Sequence, residues 1–469
     1  MFWLLLYLSL KSIDCGTAPP QFCSSDTRPL GDAINEFALN LYQQMLSDLT
    51  DPVNDNIFFS PFSISTALAM TYLGTAGNTA TEMKDVLKYP ACVHPLFKAL
   101  LTALNVPNND YTLNAANNLF PDDGFMIEQE YRNNVIQFYF ATLKELDFEN
   151  NSTVAREYIN EWVSNHTEEK IPELLQEGDV TALTVLFLVN AIYFKGDWLN
   201  KFNPDLTEPA TFHVSPSNQI QVEMMYNQST YRYYEDNTLN AQLLELPYAG
   251  EDISMIVILP NDLDGLSSLE ATLNPINLKA ALNELLYPRS STHTSVQVWL
   301  PKFEMKLRYK LKEYLQALGM VDAFNFGADF SPLCGSCGVF ISAVIHEAFV
   351  KVNEEGTEAT ASTGVVINRG IKLFKANHPF IFLIRHKKSG TILFMGRVTT
   401  PNDSGTSNQS CLTKIPCPKK RKGKLSRCCG CKYMFADPKT KRIMTPKAMM
   451  RKYKGRKCLE GCIHRKCIP

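Results

Sequence analysis

The chain has 469 residues, of which 45% are hydrophobic and 20% are charged. These values are typical of a globular protein with a large apolar core, and they exclude a disordered chain, a collagen and a coiled coil. The net charge of −2 hides an asymmetry, because residues 411–469 carry 19 Lys and Arg against two acids while the preceding body is acidic.

The N-terminal segment 1–15 is expected to be a signal peptide. Residues 2–10 form an apolar run that ends at Lys11. The run is too short to span a bilayer but has the length of a signal-peptide hydrophobic region, although the usual preceding cationic residues are missing. We therefore expect a secreted, extracellular protein without a membrane span. Sites of the form Asn-x-Ser/Thr fit that route and occur at Asn150, Asn151, Asn165, Asn227, Asn402 and Asn408.

Hydrophobic patterns along the chain predict both helices and strands. After Asp32, a possible helix cap, apolar residues recur every three or four positions from Ile34 to Met45, which predicts a core-facing helix. Residues 183–194 are apolar and rich in β-branched and aromatic side chains, which predicts a strand buried on both faces. Asn190 lies inside this run and needs hydrogen-bond partners. Further strands are predicted at 253–259, 296–300 and 391–398. The irregular alternation of helices and strands favours an α+β domain.

The sequence contains no recognisable catalytic motif. It lacks a nucleophile elbow, a phosphate-binding loop, a zinc-protease helix and a dinucleotide fingerprint, and its eight histidines are scattered singly. We therefore expect no enzymatic activity, no cofactor and no metal site. Cys334 and Cys337 form a CxxC motif, which would suggest redox chemistry or half a zinc site in a cytosolic protein. In a secreted chain, a local disulfide or two unrelated thiols is the better interpretation.

The segment after Glu354 is the most informative part of the chain. Residues 356–364 are small and free of proline, and after Gly356 they carry a single charge, at Glu358. If this segment became a strand, one face would consist of small uncharged side chains, those of Thr357, Ala359, Ala361 and Thr363. Such a face could enter a packed sheet without overpacking and without burying a charge. The alternative is a flexible loop selected only for polarity.

A series of ordered motifs between about residue 30 and residue 401 resembles the serpin family. They include NIFFSPFSIS from Asn56, LVNAIYFKGDW from Leu188, LPKF from Leu300, HEAFVKVNEEGTEA from His346 and LFMGR from Leu393. The resemblance implies one α+β domain over residues 30–401, with three β-sheets, surrounding helices, a metastable native state and an exposed reactive-centre loop.

The resemblance also implies a mechanism. A protease cleaves the loop and forms an acyl-enzyme, and the loop then inserts into the main sheet as a new strand. The implied loop hinge comprises Glu354, Gly356, Thr357, Glu358, Ala359, Ala361 and Thr363. The implied network that controls sheet opening comprises Ser60, Ser63, Asn190 and His346, with Trp198 near the top of the insertion path.

The residue before the cleaved bond determines most of the specificity. The usual family spacing from Gly356 places Gly370 there, whereas Arg369 lies one residue earlier. An Arg side chain forms charge-assisted hydrogen bonds in the acidic pocket of trypsin-like proteases, and Gly offers that pocket almost nothing. We therefore expect cleavage at Arg369–Gly370. Cleavage at Gly370–Ile371 or at Lys372 remains an alternative, because the loop is slightly shorter than in the family.

The C-terminal part lies outside the resemblance. Residues 402–410 are a polar linker, and residues 411–469 contain eight of the 13 cysteines. Eight cysteines in a short extracellular module suggest four disulfides, with a zinc module as the alternative. The basic run Lys419, Lys420, Arg421 and Lys422 suits heparin or another sulfated glycosaminoglycan. Nucleic acid is not expected as a partner outside the cell.

The sequence thus predicts a secreted, monomeric inhibitor that traps a trypsin-like serine protease in a covalent acyl complex. Two other functions remain open. One is a non-inhibitory serpin that acts as a carrier or chaperone, and the other is a matrix-binding protein whose tail carries the function.

Overall fold

The computed structural model describes residues 25–105, 111–287, 293–355 and 371–401, and the backbones of Thr413–Pro416 and Tyr433–Ala436. The side chains of 114–117, of Asn190 and of His293 lie outside this description. The chain divides into two compact units, Met1–Gly405 and Thr406–Pro469.

The helices of the described residues all belong to the first unit. They are α1 (Arg28–Ser47), α2 (Pro61–Tyr72), α3 (Gly77–Leu87), α4 (Val93–Leu104), α5 (Gln129–Tyr139), α6 (Phe148–His166), α7 (Leu266–Thr272), α8 (Pro275–Leu286), α9 (Lys312–Ala317) and α10 (Ser331–Cys334). The predicted helix over residues 34–45 is α1. It begins at Arg28 with a proline in its first turn, so Asp32 lies inside the helix and does not cap it.

The strands are distributed over both units. They are β1 (Ile57–Phe59), β2 (Tyr111–Pro121), β3 (Leu186–Gly196), β4 (Glu208–Ser215), β5 (Asn218–Asp236), β6 (Ala241–Pro247), β7 (Ile253–Pro260), β8 (His293–Pro301), β9 (Phe303–Lys310), β10 (Ile345–Val352), β11 (Lys372–Lys375), β12 (Phe380–His386), β13 (Ile392–Val398), β14 (Thr413–Pro416) and β15 (Tyr433–Ala436). The four predicted strands correspond to β3, β7, β8 and β13. In the second unit, β14 and β15 pair antiparallel.

Two sheets form the centre of the first unit. The four-stranded sheet has the order β2-β3-β10-β9, and the nine-stranded sheet has the order β1-β13-β12-β7-β6-β5-β8-β11, with β4 paired to β5. The long β5 pairs with β8 along one part and with β6 along another, so it joins two smaller sheets into one. Every residue of β7, β12 and β13 is buried, as expected for apolar strands covered on both faces. The α+β fold class predicted from the sequence is confirmed.

The helices supply no membrane-crossing element in the described residues, since none of them is both long and apolar enough to span a bilayer.

Candidate functional site

The junction of β3 and β10 lies in the middle of the four-stranded sheet. The two strands pair directly and in parallel, from Ile345 opposite Val189 to Val350 opposite Phe194. Beyond β10 the chain continues through residues 353–355 toward the predicted hinge. A segment that turned back there and entered between the strands would run antiparallel to both. Because parallel pairing is slightly less stable per residue, insertion would replace one weaker pair by two antiparallel pairs.

Glu354 is the one residue of the predicted hinge that the structure describes. It is 8% exposed. Its Oε1 accepts hydrogen bonds from Thr207 Oγ1 at 2.7 Å and from Lys302 Nζ at 3.1 Å. Burial alone would raise the pKa of the Glu354 carboxyl, but the hydrogen bonds from Thr207 and Lys302 outweigh burial and lower that pKa. The ionised carboxylate therefore holds the end of β10 to its neighbours.

Trp198 makes a second connection at the same end of the sheet. Its Nε1 donates a hydrogen bond to the carbonyl oxygen of Asn353 at 2.9 Å, and its ring stacks on Tyr248 at a centroid distance of 4.4 Å. Trp198 follows β3 and Asn353 follows β10, so this bond joins the ends of the two strands that insertion must separate. We call the set Trp198, Thr207, Lys302, Asn353 and Glu354 the clamp.

The predicted sheet-opening network lies in the described residues except for the side chain of Asn190. The backbone N–H of Ser60 donates to Nε2 of His346 at 3.0 Å. Ser60 Oγ donates to the carbonyl of Leu393 at 2.6 Å and accepts from the N–H of Ser63 at 3.1 Å, which caps α2. His346 is fully buried, and the backbone of Asn190 lies directly opposite it. Because Nε2 accepts a hydrogen bond, the His346 imidazole carries its proton on Nδ1.

Several predicted site residues fall outside the described residues. They are the hinge residues Gly356, Thr357, Glu358, Ala359, Ala361 and Thr363, the predicted cleavage bond Arg369–Gly370, and the basic run Lys419, Lys420, Arg421 and Lys422.

Sequence reasoning missed the contacts that Thr207 and Lys302 make with Glu354. The partners lie 147 and 52 positions from Glu354 in the chain. Lys302 is visible in the sequence as a charged residue shortly after the predicted strand at 296–300, but this position does not identify a partner.

Three cysteines lie among the described residues, and all three are disulfide-bonded. Cys334 and Cys337 form a disulfide, so of the two alternatives left open for this CxxC motif, the local disulfide is the one present. Cys92 is also disulfide-bonded.

An acidic group lies beside α6. Carboxylate oxygens of Asp122, Asp123 and Asp147 lie within 4.8 Å of one another. Asp122 accepts a hydrogen bond from the N–H of Phe148 at 2.9 Å, and Asp147 accepts one from the N–H of Asn150 at 2.8 Å. These bonds cap the start of the helix, so the acidic residues have a structural role there.

Comparisons with known proteins agree with the geometry. A family model described as "Serpin (serine protease inhibitor)" matches residues 32–401. The chain is 38% identical over 395 residues to Serpin B3 of Homo sapiens and 40% identical over 380 residues to the leukocyte elastase inhibitor of Equus caballus. Each match covers 79% of this chain and 99% of the relative. The structure of uncleaved ovalbumin matches with a TM-score of 0.73 and 31% identity, over 79% of this chain and 100% of ovalbumin. Human thyroxine-binding globulin, solved with its ligand, matches with a TM-score of 0.71 and 29% identity, over 81% of this chain and 100% of that structure.

Proposed function

The chain belongs to the serpin family of serine protease inhibitors, and from this premise we propose that it is a secreted, monomeric inhibitor of a trypsin-like serine protease. The family model and the relatives named as elastase inhibitors describe protease inhibitors and not catalytic enzymes. The observation that carries the proposal is the direct parallel pairing of β3 and β10, with the hinge at the end of β10. This arrangement can accept a strand that is antiparallel to both neighbours.

Inhibition begins when the protease's serine attacks the carbonyl carbon of Arg369. The bond to Gly370 breaks, the new amine of Gly370 takes the proton, and Arg369 remains attached to the protease as an ester. Residues 356–369 then insert between β3 and β10. At about 3.3 Å per residue, a strand of this length spans roughly 46 Å, so insertion carries the protease along the sheet. Distortion of the protease against the body then stops hydrolysis of the ester.

The clamp is the first obstacle to insertion. Trp198 and Glu354 hold the end of β10 to the residues beyond β3 and β9, and that end is where the loop enters. The network of Ser60 and His346 lies further along the same junction. The loop therefore enters by breaking the clamp contacts before it separates the strand pairs below.

The choice of protease rests on the residue at the cleaved bond. Arg369 favours a trypsin-like enzyme, because its guanidinium pairs with a carboxylate in the specificity pocket. A second candidate is a protease that tolerates small residues and cuts at Gly370–Ile371. Similarity to relatives named leukocyte elastase inhibitor favours this candidate. Mass spectrometry of the fragment released from the cleaved loop distinguishes the two bonds.

The compartment and the tail complete the proposal. The disulfide between Cys334 and Cys337 and the disulfide of Cys92 support an oxidising, extracellular environment. Asn165 is exposed and can carry a glycan, whereas the side-chain amide of Asn227 already donates a hydrogen bond to the carbonyl of Asn200 at 3.1 Å. The charge of residues 411–469 supports heparin or another sulfated glycosaminoglycan as the ligand of the tail.

Incubation of the full chain with trypsin-like proteases tests the function. We expect a complex that survives SDS, and we expect Arg369→Ala to lose it. Ala359→Arg should be cleaved without forming the complex, because insertion would bury a charge. Thr360→Arg is the matched control, since its side chain would lie on the opposite face of the inserted strand. Cleavage of the wild type with neither a complex nor a rise in thermal stability would show that inhibition is wrong.

Deletion of residues 411–469 separates the tail from the inhibitory body. We expect inhibition to persist and retention on heparin to disappear. A protein that never inhibits but binds a small hydrophobic ligand would instead be a carrier. If the full chain shows retention on heparin but no inhibition, and the deletion removes that retention, the result would favour a matrix-binding role.

A further inference from the structure

The outer surface of β5, β8 and β11 combines aromatic, amide, aliphatic and cationic side chains. Residues alternate along these strands, so Val296, Val298 and Phe374 are fully buried against the core. The intervening positions lie on the opposite side of the sheet. We call the following six residues the aromatic face: Tyr226, Gln228, Gln297, Trp299, Leu373 and Lys375.

Two rows of contacts hold this face together. In the first row, Trp299 lies opposite Tyr226 on one side and Lys375 on the other. The two ring centroids are 5.0 Å apart, and Lys375 Nζ lies 4.7 Å from the centroid of the Trp299 ring. In the second row, Gln297 lies between Gln228 and Leu373, and its Nε2 donates a hydrogen bond to Gln228 Oε1 at 3.1 Å. The side chains are therefore held in place before any partner arrives.

The face combines exposure with the chemistry of interface hot spots. Leu373 is 52% exposed, and Ile371, just before β11, is 40% exposed. Trp299 and Tyr226 are half-buried within the row. Trp and Tyr are the residues whose truncation most often costs binding free energy, and a fixed aromatic platform loses little entropy on binding.

The position of the face identifies its partner. Ile371 follows Arg369 by two residues, so its Cα lies within about 8 Å of the Cα at the proposed cleavage site. The diameter of a protease bound at this bond is far greater than that distance. Its surface on the C-terminal side of the cleaved bond must therefore approach β11. We propose that the aromatic face is a docking surface for the target protease, which selects enzymes with an apolar side chain and a carboxylate beside the active-site cleft. The apolar group packs on Trp299 and Leu373, and the carboxylate pairs with Lys375. This inference rests on the proposed inhibitory function.

The inference has a distinctive kinetic consequence. β11 lies on the C-terminal side of the cut and stays paired with β8 after cleavage, whereas the protease leaves with Arg369. The aromatic face therefore contacts the protease only before cleavage. It should raise the rate of complex formation without changing the stoichiometry of inhibition or the melting temperature of the final complex.

The test compares second-order rate constants for the formation of the SDS-stable complex by the full-length protein. We expect Trp299→Ala and Leu373→Ser each to lower the rate constant about tenfold, as expected for hot-spot residues. Trp299→Phe should recover most of the rate. Phe326→Ala is the matched control, because Phe326 is an aromatic side chain that is 88% exposed in a loop where it contacts Phe340. Thermal melting of each free variant verifies folding.

The possible outcomes are distinguishable. Slower complex formation in both aromatic-face variants, with normal stoichiometry and a normal Phe326→Ala control, supports docking. Wild-type rates in Leu373→Ser and Trp299→Ala overturn the docking surface and leave the inhibitory function intact. A rate loss of equal size in Phe326→Ala also overturns it. Failure of the wild type to trap any protease overturns both the function and the inference that depends on it.

Discussion

The pairing of Lys302 with Glu354 should control how easily the four-stranded sheet opens. Glu354→Gln removes the charge and keeps an oxygen that can accept the hydrogen bond from Thr207, whereas Glu354→Ala removes both contacts. Lys302→Met keeps most of the aliphatic stem and removes the ammonium group. These substitutions separate the ion pair from the hydrogen bond.

The distances and exposures set the size of the effect. At 3.1 Å between Nζ and Oε1, an effective dielectric constant of 20 gives an attraction of about 5 kcal/mol. The side chain of Lys302 is 38% exposed, so solvent screening and lost side-chain entropy reduce the net contribution to about 1 kcal/mol. The hydrogen bond from Thr207 to a charged acceptor adds about 1–2 kcal/mol. If the clamp is broken in the transition state for opening, Glu354→Gln should speed opening about fivefold and Glu354→Ala at least about thirtyfold.

Annealing of a synthetic peptide with the sequence of residues 357–368 measures the opening rate. The peptide occupies the site between β3 and β10, and its binding is followed as a rise in melting temperature over time. The double variant Lys302→Met/Glu354→Gln should anneal no faster than Glu354→Gln alone, because one interaction is removed in each case.

The ion pair of Lys351 with Glu304 provides the matched control. Its Nζ–Oε2 distance is 3.2 Å, but both residues lie within the paired lengths of β10 and β9, which stay paired during insertion. Glu354 instead lies beyond the end of β10, in the segment that must turn back before the loop can enter. Lys351→Met should therefore leave the annealing rate unchanged. Equal rates for the wild type and Glu354→Ala, or equal acceleration by Lys351→Met, would refute the role assigned to the clamp.

Three further predictions concern stability. Burial lowers the pKa of His94 to about 4. As the pH falls from 6.5 toward 4, the unfolded state therefore takes up a proton that the folded state does not, and up to about 3 kcal/mol of stability should be lost. Urea unfolding of His94→Phe should lack this part of the pH dependence. Arg397 is fully buried, and its Nη1 donates to both carboxylate oxygens of Glu270, at 3.0 and 3.2 Å. Arg397→Met should lower the free energy of unfolding by about 3–5 kcal/mol because it leaves the Glu270 carboxylate unpaired, and adding Glu270→Gln should restore much of that loss. Unchanged unfolding midpoints in Arg397→Met would contradict this prediction. A Cβ at Gly196 would lie 2.8 Å from a ring carbon of Tyr248, so Gly196→Ala should destabilise by about 1–3 kcal/mol in a thermal melt.

Local patterns predicted much of the fold. The strand at residues 183–194 and the helix from Ile34 to Met45 were visible because apolar spacing records which side of an element faces the core. The start of α1 was not, since Asp32 resembled a cap while the proline before it is equally acceptable in a first helical turn. Element types were therefore predicted more accurately than their ends.

Long-range polar pairs could not be predicted from the sequence. The contacts of Glu354 with Thr207 and Lys302, and of Arg397 with Glu270, join residues far apart in the chain. Each charge is visible in the sequence, but its partner depends on sheet order and on the side-chain positions of a folded core. The hinge was predicted from small residues at alternate positions, which are a local property of the sequence, and it stays a prediction.

The placement of β12 and β13 determines what becomes of the severed chain. Both strands are buried in the nine-stranded sheet, and the segment leading to Pro401 follows directly from β13. A nick at residue 369 therefore produces two polypeptides that remain one particle, and the basic extension cannot diffuse away as a free peptide. A surface that binds this extension would therefore retain the cleaved inhibitor together with the bound protease, and the two would have to be removed as one complex.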